Sequence, residues 1–196
     1  MNLPNKLTVI RIALAPLFLL LALVDFPFHY LAAGLVFGAA ALTDMYDGRI
    51  ARSQGLITNL GKFLDPLADK MLTTAALLYF LAAGRLDVWA VMIVLTREFM
   101  VTSVRLLAAK DGTVIAANIW GKLKTVAQFI AILFELAALE FASGQGSLLS
   151  GLDLPDVVFS FPLTVGYVLL WISVVLTAVS GVQYVWGHRH YFKNEK

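Results

Sequence analysis

The sequence predicts an all-α membrane protein: one domain, residues 1–196, built as a bundle of six transmembrane helices with both termini in the cytoplasm. Three observations predict it. Apolar runs of roughly 20 residues recur along the chain, about the length a helix needs to cross a bilayer core. Only 14% of the residues are charged and 60% are hydrophobic, with a mean hydropathy of +0.81; a soluble domain carries about a quarter charged residues. Basic residues fall in alternate connections, the pattern that records the orientation of a multi-span chain.

The first run covers about 7–24. Lys6 and Arg11 before a greasy core resemble a signal peptide, but further spans follow and no small-x-small site precedes Asp25, so this run is expected to be retained. The stretch DFPFH at 25–29 separates it from the second run, 29–48. The third, 63–83, ends in GRLD at 84–87, and the fourth covers 87–109. The fifth is 123–142 and the sixth 162–186. Between these two, residues 143–161 are rich in Gly and Ser, carry Asp153 and Asp156 without a basic residue, and read as a connection. Lys6, Arg11, Arg49, Arg52, Lys62, Lys110, Lys122, Lys124, Arg189, Lys193 and Lys196 mark the opposite, cytoplasmic side. Glu135 and Glu140, toward the outer end of the fifth run, read as interfacial. The chain has no cysteine, which excludes disulfide and thiol chemistry. A net charge of +2 is too small to argue for nucleic acid.

The stretch TDMYDGRIARSQGLITNLGKFLDPLADK, 43–70, breaks the hydrocarbon with four aspartates. Asp44, Asp47, Gly48 and Ala51 stand at i, i+3, i+4 and i+7, on one helix face. Gly61, Asp65 and Asp69 repeat the arrangement at i, i+4 and i+8. The small residues leave a hollow beside each pair of carboxylates. Four facing carboxylates cannot all ionise without counter-charge, and charge within a span is costly enough to imply function. Oxygen donors without His or Cys favour Mg²⁺ or Mn²⁺. Two ions about 3.5–4 Å apart suit this number of acids and recur in phosphoryl transfer. Arg52 lies a turn past the first pair, and an arginine fork grips phosphate oxygens, so a diphosphate is the expected ligand. Pro66 frees a carbonyl one turn back and can kink the helix. The competing reading is a cluster of ion pairs with Arg49, Arg52, Lys62 and Lys70. Such a cluster has no need of glycine on the same face.

The pattern Asp44-x-x-Asp47-Gly48-x-x-Ala51-Arg52, then Gly61-x-x-x-Asp65-x-x-x-Asp69, resembles the full signature of the CDP-alcohol phosphotransferases. Arg49 departs from the aromatic or aliphatic residue usual after the glycine, at a variable position. Within the family, GKFLDPLADK, REF at 97–99, RLLAA at 105–109 and GKLKT at 121–125 are similar to the bacterial branch that passes the phosphatidyl group of CDP-diacylglycerol to glycerol 3-phosphate. The likeness covers roughly residues 4–130; the last third matches only in being hydrophobic.

The resemblance implies that Asp44, Asp47, Asp65 and Asp69 hold two divalent ions and that Asp69 is also the general base. It implies that Asn5, Thr8, Gly48, Arg52 and Thr58 contact the CDP-diacylglycerol, with capping as the structural alternative for Asn5. It also implies a homodimer in the bacterial plasma membrane, with the active site facing the cytoplasm. Arg97 and Arg105 lie in the fourth run, where arginines face a cavity or the bundle interior, and Glu98 is positioned to pair with one of them. Lys122 and Lys124 point to opposite sides, so one of them is expected to face the pocket. By similarity Arg97, Arg105 and Lys122 hold the phosphate of the acceptor, a good cage for it; snorkelling to lipid headgroups is the alternative for the lysines. The competing functions are a sister phosphotransferase using inositol phosphate, serine or phosphatidylglycerol, an aspartate-rich intramembrane prenyltransferase, and a transporter with buried acids.

Overall fold

The computed structural model describes the backbone of residues 3–54, 59–110, 113, 115, 119–143 and 155–189. It describes their side chains except for 3–7, 44–54, 59–66, 69 and 110. The described residues form six helices: α1 (Leu3–Leu23), α2 (His29–Gln54), α3 (Asn59–Ala82), α4 (Val88–Lys110), α5 (Ile119–Ser143) and α6 (Asp156–Gly187). Every apolar run read from the sequence is a helix. Among the described residues, α5 and α6 are long and apolar enough to cross a membrane on composition alone. Shorter apolar helical stretches among the described residues lie at Thr8–Leu23, His29–Thr43 and Lys70–Ala82.

The helices extend past the apolar runs read from the sequence, α2 to Gln54 and α6 from Asp156 among them. α6 begins at Asp156, so the later part of 143–161 is helix and not connection. Pro155 stands at its N-cap with φ −58° and ψ 143°. A proline has no N–H to leave unpaired, and its fixed φ suits the approach to a helix. Asp156 in the first turn complements the helix dipole.

The turn after α3 depends on a glycine. Gly84 has φ +69°, a conformation that costs little only without a Cβ. Its N–H donates to the Leu81 carbonyl at 3.1 Å, and the N–H groups of Arg85 and Leu86 both donate to the Phe80 carbonyl, at 2.7 and 3.1 Å. These bonds close the last turn of α3 and fix where Arg85 leaves the chain.

α1 packs against α2 and α3, α5 packs between α2 and α6, and α4 bridges α6 and α3. Phe18, Phe37, Phe80, Ile132 and Leu170 are fully buried at the centre. The Phe37 ring lies 5.8 Å from that of Phe18 and 5.6 Å from that of Phe129, so α2 joins α1 to α5. Ala33, Ala40, Ala75 and Ala76 are buried beside them, small residues that let helix backbones approach. The outside is also apolar: Leu35, Leu106, Val157 and Val182 are exposed. Hydroxyls within the helices donate to carbonyls four residues back, Thr43 to Ala39 at 2.8 Å and Thr177 to Ser173 at 2.7 Å. Such bonds satisfy the hydroxyl without water.

The glutamates of α5 are built into the bundle. Glu135 is fully buried, which corrects its interfacial reading. A carboxylate this deep needs a cation, and the α3–α4 turn supplies Arg85, whose Nε donates to Glu135 Oε1. Arg85 Nη2 also donates to the Leu163 carbonyl of α6 at 2.6 Å. Gly166 makes the space, since a Cβ there would collide with the Glu135 carboxylate. Glu140 Oε2 accepts the N–H groups of Tyr30 at 3.0 Å and Leu31 at 3.1 Å. These belong to the first turn of α2, where backbone donors have no partner within the helix.

Candidate active site

Asp44, Asp47, Gly48 and Arg52 all fall within α2, and Asp65 and Asp69 within α3. The backbone is helical through both segments, so each carboxylate pair shares a helix face by its spacing. Consecutive helices joined through 55–58 thus carry all four acids. The side chains of Asp44, Asp47, Gly48, Arg52, Asp65 and Asp69 lie outside the described residues, as does that of Asn5, and Thr58 lies outside them altogether. The donor set itself suits a hard cation: four carboxylates, oxygen alone. Among the described residues no group of three His, Asp or Glu side chains is placed to hold a metal ion.

α1 adds a polar start to a buried stripe. Thr8, Arg11, Ala15, Phe18 and Ala22 are all buried, at spacings of three and four residues. Thr8 was expected at the nucleotide. Arg11, read only as a basic flank, is buried one turn from it, and both side chains are engaged.

A polar cluster joins the other helices. Arg97 Nη1 donates to Glu98 Oε1 at 2.9 Å, and Lys124 Nζ donates to the same oxygen at 2.5 Å. Arg97 is the partner of Glu98 that the sequence left open between two arginines. Lys124 is buried, whereas Lys122 is exposed near the start of α5. The two lysines do point apart, and it is Lys124 that meets Arg97 and Glu98. Arg105 is exposed, with its guanidinium 5.8 Å from the Tyr184 ring. Two cations therefore share one carboxylate, which leaves the cluster with positive charge to offer an anion.

The cluster reaches the aspartate-bearing half of α3. Lys70, the residue after Asp69, donates through Nζ to the Glu98 carbonyl at 3.1 Å and to the Thr102 hydroxyl. Its ammonium also sits 5.6 Å from the centre of the Phe99 ring.

Sequence reasoning passed over α6. Ser180 Oγ accepts from Arg97 Nε at 3.1 Å and from Nη2 at 2.8 Å. Gly181 lies against the stem of the same arginine. The signal was present: Ser173, Thr177, Ser180, Gly181 and Tyr184 form a stripe of small or polar residues at helical spacing in an otherwise apolar helix, and all are buried.

Residues 1–179 match the profile of the CDP-alcohol phosphatidyltransferase family. The chain is 41% identical over 195 residues to the CDP-diacylglycerol–glycerol-3-phosphate 3-phosphatidyltransferase of Bacillus subtilis (strain 168), covering 93% of each chain. It is 35% identical to the Rickettsia bellii (strain RML369-C) protein of the same name, covering 97% of each. It is 40% identical to a probable phosphatidylglycerophosphate synthase of Mycobacterium tuberculosis (strain ATCC 25618 / H37Rv), over 94% of this chain and 80% of the relative. With a family match over residues 1–179, and with the Bacillus subtilis and Rickettsia bellii relatives aligned over nearly their whole length, the chain belongs to the CDP-alcohol phosphatidyltransferase family of enzymes.

Proposed function

We propose that this enzyme transfers the phosphatidyl group of CDP-diacylglycerol to sn-glycerol 3-phosphate, forming phosphatidylglycerophosphate and CMP. The observation that carries the reading is the junction at Lys70. There the helix bearing Asp65 and Asp69 is tied to a cluster of Arg97, Glu98 and Lys124 with positive charge to spare. A diphosphate donor needs the first; a phosphorylated acceptor needs the second. The relatives, named for this acceptor, support the same choice.

Asp44, Asp47, Asp65 and Asp69 hold two divalent ions, Mg²⁺ or Mn²⁺, in a family that is generally metal-dependent. When bound, the ions supply charge neutralisation at the diphosphate and at the leaving CMP. Arg52 grips the same diphosphate, Gly48 lets it approach the α2 backbone, and Asn5, Thr8 and Thr58 border the nucleotide. Asp69 accepts the proton of the acceptor hydroxyl. The hydroxyl oxygen bonds to the β-phosphorus, and the bond from that phosphorus to CMP breaks, so CMP leaves with the electron pair. Arg97, Arg105 and Lys122 hold the acceptor phosphate, with Lys124 holding Arg97 through Glu98.

The chain acts as a single multi-pass domain in the bacterial plasma membrane. Its six helices span the bilayer, both termini and the active site face the cytoplasm, and two copies form a homodimer. The apolar outer surface supports contact with lipid. The test is CMP release from CDP-diacylglycerol by the purified enzyme, with glycerol 3-phosphate, inositol phosphate, phosphatidylglycerol and serine offered in turn. Release with glycerol 3-phosphate alone is expected. Release with another acceptor and not with this one overturns the assignment.

A further inference from the structure

We propose that Ser180 and Gly181 of α6, together with Gly121 of α5, form a slot that fixes the Arg97 guanidinium for the phosphate of the acceptor. The inference rests on the acceptor reading above and deepens it. It assigns a role to the last helix, which the sequence resemblance left without one.

Arg97 leaves α4 and lies between the backbones of two other helices. A Cβ at Gly181 would stand 2.8 Å from Arg97 Cγ and 3.5 Å from its Cβ. A Cβ at Gly121 would stand 3.4 Å from Nη2. The first glycine therefore admits the stem of the arginine and the second admits its head. Ser180, one residue from Gly181, then holds the plane of the guanidinium. Its single oxygen accepts from Nε at 3.1 Å and from Nη2 at 2.8 Å. A hydroxyl has two lone pairs, and both are taken.

A guanidinium has five N–H donors in a rigid fork. Ser180 and Glu98 occupy three of them. Among the described contacts one N–H on Nη1 and one on Nη2 remain, donors available to phosphate oxygens. A fork already held in place loses little further freedom when it binds, which favours affinity. If the slot served packing alone, the glycine clearance for the arginine stem would be enough. The paired bonds to Ser180 orient the head group, and that orientation matters to a ligand.

Ser180 is thus a positioning residue acting through Arg97, and the test must separate positioning from packing. In the full-length enzyme, Ser180→Ala removes one oxygen and adds no bulk. It should raise KM for glycerol 3-phosphate about tenfold, roughly the worth of one hydrogen bond to a charged group. KM for CDP-diacylglycerol and kcat at saturating acceptor should stay near those of the parent enzyme. Ser180→Thr, which keeps the hydroxyl, should restore the acceptor KM. Gly181→Ala should act in the same direction as Ser180→Ala; if it fails to accumulate in membranes, the serine pair carries the test. An unaltered acceptor KM in Ser180→Ala overturns the slot, and so does an equal loss for both substrates. A parent enzyme that leaves glycerol 3-phosphate untouched overturns the proposed function, and the slot with it.

Discussion

Gly166→Ala adds one methyl group where α5 and α6 are closest to the Glu135 side chain. The new Cβ would overlap the carboxylate and lie 3.2 Å from Glu135 Cδ and 3.3 Å from its Cα. The last of these is backbone, so a rotamer change in Glu135 does not relieve the contact. Either the carboxylate leaves Arg85 or the two helices part. Overpacking a core costs about 1–3 kcal/mol, and leaving a buried charge without its partner costs about 3–5 kcal/mol. The Arg85 side chain is 22% exposed and can follow Glu135 part of the way. The expected loss is therefore about 3 kcal/mol, where the two ranges meet. For a chain of this size 1 kcal/mol moves Tm by about 2–4 °C, so the fall should be roughly 6–12 °C. The assay is thermal unfolding in detergent, followed by tryptophan fluorescence with Trp171 on α6 as a reporter. The double variant Gly166→Ala, Glu135→Ala isolates the carboxylate's share: with the carboxylate gone only the approach to the Glu135 Cα remains, so the extra methyl should cost less than in the parent and the two losses will not add. A parental Tm in Gly166→Ala, or additive losses in the double variant, would refute the reasoning. Below the transition both KM values should be unchanged, because Arg85 lies in the turn past the C-terminal end of α3 and Asp65 near its N-terminal end.

Three further outcomes test the site itself. Asn in place of Asp44, Asp47 or Asp65 should abolish CMP release even at high Mg²⁺, because each loss removes a ligand of the proposed metal pair; near-normal turnover in Asp44→Asn would sink the shared-face arrangement. Gly48→Leu should accumulate in membranes yet fail to bind CDP-diacylglycerol, and normal binding would show that the small-residue stripe serves helix packing alone. Arg105→Ala and Lys122→Ala should lower efficiency toward glycerol 3-phosphate by roughly ten- to a hundredfold, the range of a charged hydrogen bond, while donor KM holds. Unchanged kinetics in Arg105→Ala and Lys122→Ala would assign both residues to the lipid headgroups.

The helices and the carboxylate pairs were legible because both are periodic. Twenty apolar residues announce a span wherever they sit, and Asp44 with Asp47 share a helix face whatever surrounds them. Pairings across helices carry no such local mark. Glu135 reads as interfacial in sequence because it lies toward the outer end of the fifth run; its partner Arg85 stands fifty residues earlier and reaches it from the left-handed turn at Gly84. Lys122 and Lys124 are separable by periodicity into opposite faces, but which face meets α4 depends on how α5 is rotated against α2 and α6. That rotation is set by packing, and it turned Lys124 inward. The start of α6 was hidden differently, by glycine and serine upstream that read as a continuous linker, although Pro155 followed by Asp156 is a helix-start signal.

Lys70 links the two halves of the proposed site. Residues 69 and 70 are about 100° apart around a helix axis, so fixing one fixes the rotation of the other. Lys70 is fixed from outside α3, by the carbonyl of Glu98 and the hydroxyl of Thr102 on α4. The rotational setting of the stripe that carries Asp65 and Asp69 is therefore tied to α4. The same residue, Glu98, uses its carboxylate to hold Arg97 and Lys124. One helix turn of α4 thus sets the register of the aspartates through its backbone and the position of the basic cluster through its side chain. A shift of α4 relative to α3 would move both together. The reacting groups in the proposed transfer need a fixed separation between the donor phosphorus and the acceptor hydroxyl, and a shared anchor between the two binding halves maintains it.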